Sequence, residues 1–202
     1  MNIALIGASG RVGSRILAEL SSRGHAVTAI ARDPAKVASL PGVTAVAGDI
    51  EATDSLARLL TGHDAVISSV LFSASDANKL IAAVKASGVR RYYVVGGAGG
   101  LEVAPGKMLL DTPEFPEIYK AEAQAGVDFL NKLKAEDGLD WTFLAPSAVF
   151  EPGERTGTFR LGKDQLLANE NGSSISFEDF AVALVDEIET PAHVRHRFTV
   201  GY

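Results

Sequence analysis

The sequence predicts an α/β fold in which helices cover both faces of a doubly wound parallel sheet. Short runs rich in valine, isoleucine and leucine alternate with longer amphipathic stretches over roughly the first 145 residues. The apolar runs show little polar alternation, which is typical of strands buried on both faces. Strands that alternate with helices form right-handed βαβ units, and these units give a parallel sheet.

The elements follow from these patterns in chain order. Helices are predicted at 11–23, 74–87 and 117–136, with shorter ones after Asp33 and near Thr53. The strands are predicted at 2–6, 26–31, 43–47, 65–69, 91–95, 140–144 and 197–201.

The composition changes after Pro146. Residues 151–172 combine proline, glycine and many charges, which predicts an extended loop or a short hairpin. Ser176 and Asp179 are placed to begin a last helix that runs to about Glu189. We therefore expect one domain over 1–202, with residues 147–202 forming a small C-terminal lobe over the carboxyl edge of the sheet.

Composition excludes several classes of function. The chain has no cysteine, so it forms no disulfide or thiolate metal site, and its histidines lack the spacing of metal ligands. A net charge of −6 without a Lys/Arg cluster argues against nucleic acid as a partner. No apolar run reaches the roughly 18 residues of a membrane span. The first residues lack the pattern of a signal peptide, so we expect a cytoplasmic protein.

A glycine-rich turn lies between the first strand and the first helix. Gly7 would permit the sharp exit from the strand, Gly10 the close approach of a pyrophosphate, and Gly13 the packing of helix on strand. The helix N-terminus offers free N–H groups to phosphates. The alternative is a tight turn without a ligand. The residues expected to contact a dinucleotide here are Gly7, Ser9, Gly10, Arg11, Val12 and Gly13.

The end of the second strand bears on which dinucleotide is bound. Folds that select NAD carry an acidic residue there for the ribose 2′-hydroxyl, whereas this chain has Arg32. Asp33 precedes Pro34 and suits a helix N-cap. We read Arg32 as a ligand of a 2′-phosphate, although it could be a solvated surface residue. NADP(H) is thus the expected cofactor, and NAD(H) remains possible.

Other strand ends point to the same edge of the sheet, where doubly wound sheets bind ligands. Asp49 follows the third strand and could accept from an adenine amino group or cap the next helix. A second glycine cluster follows the fifth strand and would let a flat ligand approach the backbone. The cofactor contacts expected from these ends are Asp49, Ile50, Ser68, Ser69, Val70, Gly96 and Gly97.

Taken in order, these segments resemble the atypical short-chain dehydrogenase/reductase group, and more closely its NAD(P)-binding, NmrA-like branch. That branch includes NADPH-dependent flavin reductases and biliverdin-reductase-B-like proteins. The resemblance implies a Rossmann fold and a nicotinamide cofactor, with Pro146 beside the nicotinamide. It leaves the substrate open, because the branch mixes reductases with cofactor-sensing regulators. The segments that carry it are residues 7–13, 31–34, 48–49, 94–99 and 141–146.

The catalytic pair of the short-chain dehydrogenases is broken in this chain. Those enzymes use Tyr-x-x-x-Lys, in which the lysine lowers the pKa of the tyrosine. Here the residue four after Tyr119 is Ala123, and Lys120 is adjacent to the tyrosine. No catalytic residue is therefore assigned. Hydride transfer to a flavin, quinone or similar flat acceptor needs mainly orientation, and its proton can come from water.

Three functions remain open from the sequence. The leading one is an NADPH-dependent reductase with FMN or another flavin as a possible co-substrate. The others are a non-catalytic NADP(H) sensor and an epimerase or dehydratase-like enzyme that holds NAD. A monomer or a homodimer is compatible with the sequence. The candidate acceptor contacts are Phe72, Ala98, Phe115, Tyr119 and Phe150, with Phe159 as a further aromatic, and each aromatic could instead belong to the core.

Overall fold

The computed structural model describes residues 1–202. Five α-helices follow one another along the chain: α1 (Gly13–Ser22), α2 (Thr53–Leu60), α3 (Ala77–Ser87), α4 (Glu117–Lys134) and α5 (Phe177–Glu189). The strands are β1 (Asn2–Ile6), β2 (Ala26–Ala31), β3 (Val43–Ala47), β4 (Ala65–Ser68), β5 (Arg91–Val95), β6 (Glu102–Ala104), β7 (Lys107–Met108), β8 (Asp140–Pro146), β9 (Val149–Glu151), β10 (Arg160–Gly162), β11 (Ser174–Ser176) and β12 (His196–Gly201).

Eight of the strands form one twisted sheet in the order β10-β12-β8-β5-β4-β1-β2-β3. All neighbours pair in parallel except β10, which runs antiparallel to β12. The chain winds outward from β1 through β2 to β3 and then returns to β4 on the other side of β1. The predicted doubly wound sheet is confirmed, and its switch point lies between β1 and β4, where such sheets bind ligands.

Helices pack on both faces of the sheet and enclose two apolar cores. One face packs against α2, α3 and α4, with side chains such as Leu56, Leu80 and Phe129 buried. The other packs against α1 and α5, with Leu20 and Phe180 buried. These two layers fix the carboxyl ends of the strands at one common edge.

The outermost strand β3 departs from the prediction that the strands are buried on both faces. Thr44, Ala45 and Ala47 are exposed, and only Val43 and Val46 are partly covered. The reason is its position at the end of the sheet, which a local apolar pattern does not reveal.

The C-terminal residues are more closely integrated than a lobe over the sheet edge. β12 lies between β8 and β10, and α5 packs along α1. The predicted cap of α5 is confirmed, because Ser176 Oγ accepts from the N–H of Asp179 at 2.9 Å. Two small pairs of strands, β9–β11 and β6–β7, lie outside the main sheet, whereas β10 forms its last strand.

Two helices begin later than predicted. α3 begins at Ala77 because the Asp76 carboxylate accepts from the N–H groups of Asn78 and Lys79, and residues 72–74 form a separate 3-10 turn. α1 begins at Gly13, after the glycine turn has closed. No helix of the chain has the length and apolar character needed to cross a membrane.

Candidate functional site

The turn after β1 has room for glycine alone at two positions. Gly7 has a φ of +83°, and a Cβ there would lie 2.1 Å from the Ser69 carbonyl oxygen. A Cβ on Gly13 would lie 2.1 Å from the Gly7 carbonyl oxygen. The turn is also tied to β2, since the N–H groups of Gly7 and Ala8 donate to the Ile30 carbonyl at 3.0 and 3.3 Å. The two glycines therefore bring β1, α1 and the end of β4 into contact.

The same turn leaves a group of backbone donors free. The N–H groups of Ser9, Arg11, Val12 and Gly13 donate no hydrogen bond within the chain. Three of them belong to the first residues of α1 and its approach, where the helix dipole adds a partial positive charge. This cradle fits the pyrophosphate of a dinucleotide, because it supplies donors and positive potential on a backbone without side-chain bulk.

Arg11 extends from this turn toward α5. Its guanidinium lies over the ring of Phe177, 5.1 Å from the centroid, and the side chain forms no ion pair. Arg15, one turn further along α1, is engaged instead with Glu178 at 3.0 Å. Arg11 is thus an oriented cation at the mouth of the turn.

A second free cation stands at the end of β2. Arg32 is exposed and has no hydrogen-bond or ion-pair partner in the chain. Asp33 behaves as predicted for a cap: its carboxylate accepts from the N–H of Ala35 at 3.1 Å, and Pro34 begins the 3-10 turn. The acidic residue is therefore occupied by the backbone, and the arginine is available to a ligand.

Asp49 does not cap the next helix, so that alternative is wrong. The N-cap of α2 is Ala52, which makes no side-chain bond to the helix. The Asp49 carboxylate accepts instead from the N–H of Glu51 at 2.9 Å, which holds the turn after β3. Ile50 is partly buried against the core beside it.

The end of β4 is held by hydrogen bonds to its two neighbouring strands, β5 and β1. Ser68 Oγ is 2.9 Å from the hydroxyl of Tyr92, and both side chains are buried. Burial raises the pKa of Tyr92, so its hydroxyl stays protonated. Ser69 donates its N–H to the Ile6 carbonyl at 2.9 Å, and Val70 is partly exposed. The residues expected at the cofactor from this strand end thus lie beside the glycine turn.

The glycine cluster after β5 contains one position that faces open space. A Cβ on Gly96 would lie 2.2 Å from the ring of Phe143, and one on Gly99 would lie 2.5 Å from the Cβ of Ala123. A Cβ on Gly97 would meet nothing within 4 Å. Ala98 is partly exposed and opens the 3-10 turn that follows. Gly96 and Gly99 are needed for packing, whereas Gly97 leaves a surface that a ligand can reach.

Two side chains that the sequence did not single out hold the loops around this surface. Arg197 on β12 donates to the Gly100 carbonyl at 2.7 Å and to Asp164 at 2.6 and 2.9 Å. The Glu122 carboxylate on α4 accepts from the N–H groups of Phe72 and Ser73, both at 2.8 Å. These partners are far apart in sequence, so no local pattern reveals them.

The candidate acceptor residues separate into packed and exposed groups. Phe72 lies between Phe129 and Phe143, with centroid distances of 5.2 and 5.9 Å, and is 8% exposed. Phe150 packs its ring against Phe177 and Phe180. Both were expected at the acceptor, and the structure places their rings in packed aromatic clusters instead, Phe72 from the 3-10 turn after β4 and Phe150 from β9.

The remaining candidates lie around α4 and β8. Phe115 precedes α4 and is partly exposed, and Tyr119 on its first turns is 59% exposed. Lys120 is paired with Glu117 at 2.6 Å. The position four after the tyrosine is Ala123, which packs toward Gly99, so no lysine stands one turn beyond Tyr119. Pro146 is buried at the end of β8. Phe159 lies elsewhere, in a groove beside α5.

Comparison with known proteins identifies the family of this chain. A family model described as NAD(P)H-binding matches residues 7–191. The uncharacterised protein YwnB of Bacillus subtilis (strain 168) is 40% identical over 213 residues, covering 99% of this chain and 98% of YwnB.

Solved structures of similar chains carry different functional descriptions. A proposed epimerase of Bacteroides thetaiotaomicron is 41% identical with a TM-score of 0.94, over 100% of this chain and 96% of that one. A proposed NADH-flavin reductase of Streptococcus pneumoniae TIGR4 is 36% identical with a TM-score of 0.87, over 100% and 99% of the two chains.

Proposed function

The chain belongs to the NAD(P)H-binding family, and we propose that it oxidises NADPH and passes the hydride to a flat conjugated acceptor such as a flavin or a quinone. The observation that carries the proposal is the open backbone at Gly97, on the edge that also holds the free donors of the glycine turn. No tyrosine–lysine pair stands beside it. The protein would therefore act on an acceptor at this place mainly by positioning it, and not by donating a proton to it.

The residues at the nucleotide end determine the choice of cofactor. The free N–H groups of Ser9, Arg11, Val12 and Gly13 would hold the pyrophosphate. Arg32, with Arg11 near the same mouth, would hold a 2′-phosphate, because an unpaired guanidinium binds phosphate through charge-assisted hydrogen bonds. Asp49 and Ile50 would border the adenine, and Ser69 and Val70 would border the bound cofactor between the two ends.

The chemistry at the other end requires little from side chains. Bound NADPH supplies the hydride, and one proton from water completes the reduction of the acceptor, leaving NADP⁺. Gly97 would let the flat ring lie against the backbone, while Gly96 packs on Phe143 beneath it. Arg197 and Glu122 hold the loops around this surface. Holding two reactants in a reactive orientation can supply about 7–11 kcal/mol of the barrier reduction. The hydroxyl of Tyr92 stays engaged with Ser68 below the site.

The relatives favour a reductase but do not indicate which acceptor it reduces. The Streptococcus pneumoniae protein is described as an NADH-flavin reductase. The Bacteroides thetaiotaomicron protein is described as an epimerase. Epimerisation through a bound nicotinamide requires a residue that removes a proton from the substrate, and the absent tyrosine–lysine pair disfavours it here.

The test is an acceptor panel with the purified chain. NADPH is mixed anaerobically with FMN, riboflavin, menadione or an azo dye, and the nicotinamide absorbance band is followed with and without protein. We expect oxidation of NADPH with at least one member of the panel, at about one equivalent per flavin or quinone reduced and about two per azo bond cleaved to amines, since each NADPH carries two electrons. Tight NADPH binding without oxidation of any acceptor would overturn the reductase and leave an NADPH sensor.

A further inference from the structure

A second cavity lies away from the cofactor edge, between the C-terminal half of α5 and the strands β10 and β12. Its volume is about 270 Å³. Half of its ten lining residues are apolar, among them Phe159, Leu161, Ala183 and Phe198, and the other half are polar or charged. The cavity reaches Glu187, which is ten residues beyond Phe177 on α5, or roughly 15 Å along the helix axis from the glycine turn. It is thus separate from the site proposed for the nucleotide.

A histidine held by a buried carboxylate lines this cavity. Glu187 is 5% exposed, and its Oε2 accepts from Nδ1 of His193 at 2.8 Å. Its Oε1 accepts from the N–H groups of Ala192 and His193 at 2.9 and 2.7 Å. The imidazole is stacked on Phe198 with a centroid distance of 4.1 Å and an interplanar angle of 6°. The ring is therefore fixed in one orientation.

The opposite nitrogen of that ring has no partner. Because Nδ1 donates to the carboxylate, the neutral ring carries its lone pair on Nε2. Nε2 makes no hydrogen bond within the chain, and the side chain is 25% exposed. When the ring is neutral, an oriented acceptor thus borders a cavity that has both apolar and polar lining residues.

The charges at the rim restrict what this acceptor can bind. Asp186 and Glu189 line the cavity and are paired with Arg23 at 2.7 and 2.8 Å. Together with Glu187 they disfavour an anionic ligand. A cavity just below the roughly 300 Å³ lower limit of ordinary ligand pockets suits a single ring.

We propose that this cavity binds a small neutral phenol, with the ring against Phe159 and Leu161 and the hydroxyl donating to His193 Nε2. Aromatic walls supply the apolar contact, and the one vacant acceptor selects a ligand with one donor. The site is independent of the hydride transfer proposed above, since it shares no residue with it.

The experiment is an NMR titration of the full chain with phenol as the probe and anisole as its matched control. Anisole has the same ring but no O–H donor. We expect saturable shifts at residues 193 and 198 with phenol, and roughly fivefold weaker binding of anisole, the difference that one hydrogen bond supplies. Absence of saturable phenol binding, or equal affinity for the two probes, would overturn the proposal.

Three variants test the position of the ligand. His193→Ala is expected to weaken phenol about fivefold and to abolish the difference between phenol and anisole. His196→Ala removes a nearby histidine that contacts only the Val194 carbonyl, and should change neither affinity. If His193→Ala does not fold, Leu161→Trp serves instead. It fills the mouth of the cavity without touching Glu187, and should weaken phenol more than tenfold while NADPH binding persists. Unchanged phenol affinity in His193→Ala or Leu161→Trp would contradict the proposed site.

Discussion

The N-terminal end of helix α1 and its flank differ in whether their polar groups have partners within the chain. At its N-terminal end, the N–H groups of Arg11, Val12 and Gly13 have no partner. Along its flank, Glu19 holds Arg23 and Arg155, each at 2.8 Å. The flank also borders a groove of about 600 Å³. Unpaired donors thus lie at the end proposed to bind the nucleotide, whereas the paired charges of the flank stabilise the packing of α1 on α5.

The largest loss of stability is expected from Gly7→Ala. The change places a Cβ 2.1 Å from a carbonyl oxygen at a φ of +83°. Strained backbone and overpacking each cost about 1–3 kcal/mol, so we expect a loss of about 4 kcal/mol in the free energy of unfolding. Urea denaturation measures it.

Gly24→Ala is the matched control for that loss. Gly24 has a φ of +76°, but a Cβ there meets nothing within 4 Å. We expect a loss of only about 1 kcal/mol, from backbone strain alone. Equal losses in the two variants would show that the contact with Ser69 is not what requires glycine at position 7.

The paired flank is tested by Glu19→Gln. The Arg155 guanidinium, helped by Arg23 and opposed by burial, holds the pKa of the Glu19 carboxyl below its usual range. A carboxyl whose folded pKa is depressed stabilises the fold above its unfolded pKa, and this stability is lost as the pH falls through the folded value. We expect the variant to lose about 2 kcal/mol at neutral pH, discounted for the exposure of Arg155.

The pH dependence separates this effect from simple repacking. Wild-type stability should fall more steeply than that of Glu19→Gln as the pH drops below about 4.5. Denaturation curves at neutral and acidic pH measure the two slopes, and NADPH affinity should stay unchanged. Parallel slopes, or weaker NADPH binding, would mean that the flank is not the purely stabilising region described above.

Most of the sheet could be predicted from the sequence because strands and turns leave local patterns in it. The bounds of β1, β2, β3 and β5 were predicted from apolar runs, and Asp33 and Ser176 from capping chemistry. Exposure of β3 and the placement of β12 inside the sheet depend on tertiary order, which no local run encodes.

The candidate site could likewise be predicted only where it depends on local sequence. Glycine spacing indicated the turn, since backbone geometry demands glycine there. The inward rotation of Phe72 and Phe150 could not be read from the sequence, because an aromatic at a strand end suits either a core or a ligand surface. Arg197 and Glu122 act through partners 97 and 50 residues away.

A smaller effect, on NADPH affinity, is expected from Arg32→Ala, which removes the unpaired guanidinium at the end of β2. Loss of one exposed phosphate contact should weaken NADPH binding about tenfold, or about 1.4 kcal/mol, and leave NADH binding unchanged. Fluorescence titration with both cofactors measures it, and Lys36→Ala serves as a control at an exposed cation paired with Asp33. An equal loss for NADPH and NADH would contradict a 2′-phosphate contact.

The smallest effect on stability is expected from Gly97→Ala. Its Cβ would meet nothing within 4 Å, so the free energy of unfolding should change by less than about 0.5 kcal/mol. The methyl group would stand where the acceptor is proposed to lie, and should raise the KM for the acceptor a few-fold. Steady-state kinetics on the acceptor that responds in the panel measures this. Unchanged kinetics would place the acceptor elsewhere.

The proposed transfer of hydride from NADPH to a flat acceptor uses no acidic side chain of this protein. Its most direct test is the single-turnover rate of NADPH oxidation in wild type and Tyr119→Phe, from about pH 6 to about pH 9. We predict rates within about twofold of each other and a flat pH profile, since no side chain donates the proton. No oxidation in the wild type, or a loss of about a hundredfold or more in Tyr119→Phe, would contradict the claim, because that is the contribution of a general acid.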